Sequence, residues 1–89
     1  MNGTTWLSGA NADSPRVSPV HRVRLAPAAA RLWRVVAPDG RVIGHLQALG
    51  DGPSVRWVAK RFHVASRAFR ELGEFWSADD AVQSLLFAR

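Results

Sequence analysis

The stretch RELGEFWSADDAVQSL, residues 70–85, changes period near its middle. Up to Phe75 it reads as a β-strand, and from Ser77 onward the apolar residues recur at helical spacing. Ser77-Ala78-Asp79-Asp80 has the Ser-x-x-acid form of a capping box, whose side chains satisfy orphan N–H groups of a first helical turn, and the two acids suit the helix dipole. Ala78, Ala81, Val82, Leu85 and Leu86 then fall at i, i+3, i+4, i+7 and i+8, an apolar stripe that needs a sheet to lie on. Phe87 lies off that stripe and is expected to be exposed. The unit is therefore a strand that hands the chain to a covering helix.

The sheet follows upstream. LWRVVA and RVIGHLQ are rich in β-branched and aromatic residues, and Pro38-Asp39-Gly40 between them supplies a turn, so residues 32–47 read as a β-hairpin. LGDGPS, residues 49–54, is a second turn region. It leads to VRWVAKRF, where Trp57, Ala59 and Arg61 point one way and Arg56, Val58, Lys60 and Phe62 the other. HVAS is a third connection, and RAFRELGEF is a fourth strand in which Gly73 marks a bulge or a close approach. The expected fold is α+β: a small antiparallel meander of three to four strands with one C-terminal helix packed on one face. Trp33, Trp57, Leu72 and Leu85 are the expected core.

Residues 1–30 are rich in Gly, Ser, Asn, Pro and Ala and keep neither apolar period, so they read as a disordered basic arm ahead of a ββββα domain at 31–89. Within the arm, PRVSPVHRVRLAP carries Arg16, His21, Arg22 and Arg24 among prolines, a segment suited to lie along phosphates. Trp6 stands alone in it as an incidental aromatic.

Without cysteine, a chain of 89 residues has no disulfide to stabilise it. Large aromatics are the expected substitute: Trp33, Trp57 or Trp76, if fully buried, would each remove about 150–250 Å² from water, a gross gain of about 4–6 kcal/mol. The start of the sequence has neither a basic cluster nor an apolar run, and no segment approaches a membrane span, so a cytoplasmic protein is expected. The formal charge is +5, and all but one of the 12 basic residues are arginine. Such a balance favours anionic partners, and with abundant Ala, Gly and Val it also fits the bias of a GC-rich bacterial genome.

Catalysis needs convergent groups, and none converge here. His21, His45 and His63 fall in the arm, on a strand and in a turn, without metal-ligand spacing. GDG at 50–52 is a turn rather than a phosphate-binding loop. No enzyme, metal, cofactor or small-molecule substrate is expected.

RWVAKRF at 56–62 and RAFRELGEFWSADDAVQSLLFA at 67–88 resemble the ethylene-response-factor DNA-binding domain of plants. The resemblance rests on Arg56-Trp57-Val58-Ala59, Leu72-Gly73 with Phe75, and Ser77 to Ala81. It implies three strands and a helix, a plan shared by the arm-binding domains of phage tyrosine recombinases, with the outer sheet face reading DNA. Carried over, Arg56 takes a basic position, Lys60 an acidic contact, Phe62 and Phe69 arginine contacts and Glu71 a tryptophan contact. The scaffold positions are kept and the contact set is not. The segment from WRVVAPDGRVIGHLQ to SADDAVQSL also resembles short uncharacterised proteins of GC-rich bacteria.

Two functions are weighed, the first as the expected one and the second as its alternative. In one, a protein-interaction module or homodimer uses an aromatic patch of Phe62, Phe69 and Phe87, which would be costly to leave exposed. In the other, Arg34, Arg41, Arg56, Lys60 and Arg67 contact the phosphates of DNA, and the arm follows the backbone. Glu71 and Glu74 beside Arg70 fit the mixed surface of the first.

Overall fold

The computed structural model describes residues 14–87. The strands are β1 (Arg24–Ala29), β2 (Leu32–Val36), β3 (Val42–Leu49), β4 (Arg56–His63) and β5 (Ala68–Phe75), and the helix is α1 (Ala78–Phe87). The strands form one antiparallel sheet in chain order, a meander with β1 and β5 at its edges.

Register fixes which side chains share a face. Val35 lies opposite Gly44, Leu46 opposite Ala59, and Ala59 opposite Gly73, and these positions face α1. Val35, Leu46, Ala59, Ala78, Ala81, Val82 and Leu85 form the buried cluster between the layers. The expected turn at Pro38-Asp39-Gly40 is closed by hydrogen bonds from Gly40 N to Ala37 O and from Ala37 N to Arg41 O, both 2.9 Å. Gly40 has φ 89°, a conformation glycine adopts at no steric cost.

The helix begins where the Ser-x-x-acid pattern predicts. Asp80 N donates to Ser77 Oγ at 3.0 Å, so one orphan donor of the first turn is satisfied by the cap. Its stripe then settles on small residues. A Cβ added to Gly44 would lie 2.5 Å from Leu85 Cδ2 and 2.8 Å from the Lys60 carbonyl oxygen. Only a hydrogen on that Cα lets Leu85 descend to the sheet.

A helix of 10 residues is about 15 Å long, enough to cover β3 to β5 but not the whole sheet. Residues 14–23 take up the remainder. Val17 and Val23 pack against the core cluster, and Trp33 Nε1 donates to Ser14 Oγ at 3.2 Å. Asp79 clips this strap to the helix start: its Oδ1 accepts from Ser18 N at 2.6 Å and lies 3.3 Å from His21 Nε2.

Several expectations are corrected. The sheet has five strands rather than three to four, because Arg24–Ala29, read as part of the arm, pairs with β2. The strap likewise packs on the core, while Trp6 and the rest of residues 1–13 lie outside the described residues. Leu72 is exposed rather than core, because the bulge anticipated at Gly73 removes it from the ladder between Glu71 and Gly73. Trp76 is 72 % exposed at the junction before the helix, and Leu86 falls outside the buried stripe. Trp33 is buried, Trp57 half-buried, and their rings meet at 5.7 Å.

Two substitutions test this account. Gly44→Ala should destabilise the fold by about 1–3 kcal/mol, because Leu85 or the β4 backbone must shift. Ser77→Ala should cost about 1 kcal/mol through loss of the cap. Denaturant unfolding would measure both, and an unchanged midpoint for Gly44→Ala would refute the close seating of the helix.

Candidate functional site

The face of the sheet opposite α1 is built from the other half of each strand's alternation. Across it runs one row of directly paired residues: Arg34 on β2, His45 on β3, Lys60 on β4 and Glu71 on β5. Directly opposed residues have Cβ atoms about 4.5–5.5 Å apart, so these side chains are neighbours. One step along β4 and β5, Phe62 lies opposite Phe69 with ring centroids 5.4 Å apart in an edge-to-face arrangement. Phe69 also meets the His45 ring edge-on at 4.9 Å, which joins the row to the aromatic pair.

The five candidate cations are not equivalent. Arg34 is exposed on this face, with Nη1 3.4 Å from the Pro27 carbonyl oxygen. Lys60 is half-buried and makes no ion pair among the described residues. Arg56 shares the face but is held by Glu74 at 2.9 Å. Arg41 and Arg67 sit in the β2–β3 and β4–β5 connections, which a meander places at the same end of the sheet, beside Phe62 and Phe69. Arg67 has φ 53°, the left-handed conformation that closes its turn. Arg24, assigned to the arm by its sequence, joins this face opposite Val36.

The expected aromatic patch divides. Phe62 and Phe69 are 46 % and 49 % exposed on the outer face, whereas Phe87 lies on the helix side with Phe75, Gln83 and Ser84. What sequence separates into a basic set and an aromatic set, the sheet brings together on one surface. Strand alternation in β2 and β3, extended from the turn at 38–40, was the signal for Arg34 and His45 facing one way.

His45 is the unusual member. Its Nδ1 is buried and without a hydrogen-bond partner among the described residues. Burial, then the guanidinium of Arg34 and the ammonium of Lys60, lower its pKa from the ordinary 6.5. The ring is therefore neutral at neutral pH and presents a face rather than a charge.

The helix side has a cleft of about 460 Å³ floored by Trp33 and Trp57. The Arg31 guanidinium at its mouth is engaged by the carbonyl oxygens of Ala48 and Gly50 and by Asp51 at 3.7 Å. That cation closes a loop of the fold. Among the described residues, no three His, Asp or Glu side chains are grouped to hold a metal, and no helix is long and apolar enough to cross a membrane. Comparison with protein-family models, with curated proteins and with solved structures finds no match to this chain.

The lowered pKa of His45 fixes a sign. With the folded pKa below the unfolded value, the unfolded chain binds more protons as pH falls, so stability is lost as pH drops through about 6.5 toward the folded midpoint. The loss between about pH 7.5 and 5.5 should be smaller in His45→Gln, measured by denaturant midpoints. An NMR titration of the imidazole should show a midpoint under 6.5, and one above that value would contradict the desolvated, cation-flanked setting.

Proposed function

We propose that this chain is a non-enzymatic nucleic-acid-binding module whose contact surface is the sheet face opposite α1. One observation carries the reading: Arg24, Arg34 and Lys60 share that uncovered face with the exposed rings of Phe62 and Phe69. Cations attract the phosphate backbone over long range and position it, while aromatic groups supply short-range contact that phosphate alone does not provide. The formal charge of +5 adds to the attraction. The three-strand-plus-helix plan of the ethylene-response-factor resemblance supports the same face, since β3, β4, β5 and α1 follow that order.

The carboxylates refine the set of contacts. Glu74 occupies Arg56, which leaves Arg34 and Lys60 as principal phosphate contacts, with Arg24 at one flank and Arg41 and Arg67 at the turn end. Glu71, opposite Lys60, limits the charge at the β5 edge.

A second reading, a protein partner or a second copy of the chain, is favoured by the free edge of β5. Residues 68–72 are exposed and, among the described residues, only β4 pairs with the strand, which leaves backbone groups available for strand addition. Under this reading self-association would show in sedimentation and would respond to proline in β5 rather than to salt.

Nucleic-acid binding through Arg24, Arg34 and Lys60 should give log K against log salt a slope of about −2 for a single strand and about −3 for a duplex. Arg34→Gln and Lys60→Gln should each weaken binding and reduce the slope by about 0.7–0.9, with Arg56→Gln having less effect. Fluorescence anisotropy with labelled DNA at several salt concentrations measures this. Binding that ignores salt, or that survives Arg34→Gln together with Lys60→Gln, would overturn the assignment.

A further inference from the structure

Resting on the sheet-face reading, we infer that the preferred ligand is single-stranded, with unpaired bases stacked on Phe69 and Phe62 and phosphates held by Lys60 and Arg34. In paired DNA each base face is covered by its neighbours, and only base edges and phosphates are accessible. Phe62 and Phe69, close to half exposed, would then press apolar surface against charged backbone or against groove edges that are read by donors and acceptors. An unpaired base presents its π face, and every base has one.

The arrangement on the sheet fits such a strand. The rings occupy β4 and β5 and the cations β4, β2 and β1, in two adjacent cross-strand rows of one face. From β5 to β1 is four strand spacings, about 19 Å, long enough for a few nucleotides. His45 sits between the two regions: its ring is neutral, it meets Phe69 at 4.9 Å, and its Nδ1 has no partner among the described residues. A protonated histidine between Arg34 and Lys60 would add repulsion in the free protein, whereas the neutral ring extends the aromatic surface toward the cations.

The test uses the full chain, a fluorescein-labelled mixed-sequence DNA single strand, its RNA counterpart, and the annealed DNA duplex. Either single strand should bind about tenfold or more tighter than the duplex at equal salt. Phe69→Leu should weaken single-strand binding by about tenfold and leave duplex binding little changed. Lys60→Gln should weaken both. Phe62→Leu is the second variant should Phe69→Leu fail to fold, and upfield shifts of the Phe62 and Phe69 ring protons on titration of the unaltered chain report stacking directly. A duplex bound as tightly as the single strands, or single-strand binding indifferent to both leucine variants, would overturn this inference and leave the sheet-face reading standing. No binding of any of the three at low salt would remove both.

Discussion

The architecture depends on the absence of one methyl group. Leu85 reaches the sheet because Gly44 has no side chain, and Ala59 and Gly73 continue the low ground across β4 and β5. A helix seated so deeply meets the sheet through short side chains, Ala78, Ala81 and Val82, while Trp57 and Phe75 pack at the margin of the cluster. It is also short, and the uncovered half over β1 and β2 recruits residues 14–23, clipped by Asp79. All of this covering material lies on one side. The other face is left to be finished by its own side chains, and that is where the cations and the exposed phenyl rings stand.

Legibility of the fold followed the strength of local signals. The hairpin at 32–47 carried both β-branched runs and a turn tripeptide, and the helix start carried its own cap, so both were readable without tertiary information. β1 carried neither signal. RLAPAA has no β-branched residue and contains a proline, yet Pro27 is tolerated because β1 is an edge strand, where a missing N–H need not face a partner. Its strand character comes from pairing with β2 and from Leu25 packing on the core, which are consequences of the fold rather than of the segment. Leu72 shows the converse. Its hydrophobicity and position suggested core, but a bulge inserts one residue, and the alternation that would have turned it inward is broken.

The candidate site was legible in its members more than in its assembly. Lys60 and Phe62 followed from alternation along one strand, while Arg34 was named for its charge and Phe69 for its ring. Their convergence depends on register between strands, which rests on an irregularity at Ile43 that no local pattern announces and on one at Leu72 signalled only by Gly73. A shift of one residue in either pairing would reverse a strand's faces and scatter the set. Arg24 was read as part of a basic arm because its strand went unread, and Phe87 was grouped with the other rings only because a linear reading cannot tell one side of a sheet from the other.

The electrostatics of the outer face follow from the same register. Placing Arg34 and Lys60 on either side of His45 concentrates positive charge on the interior strands rather than in loops or tails. Burial depresses the proton affinity of the imidazole, and the two flanking cations add to the effect, so the ring stays uncharged. Glu74 neutralises Arg56 and Glu71 stands across from Lys60, so the carboxylates of this face gather on β5. The face thus passes from a cationic side to an aromatic side within a few residues. A ligand complementary to it must itself carry regularly spaced negative charge beside flat apolar surface, which separates the proposed nucleic-acid partner from an acidic peptide: the peptide would satisfy the cations and leave the rings uncovered.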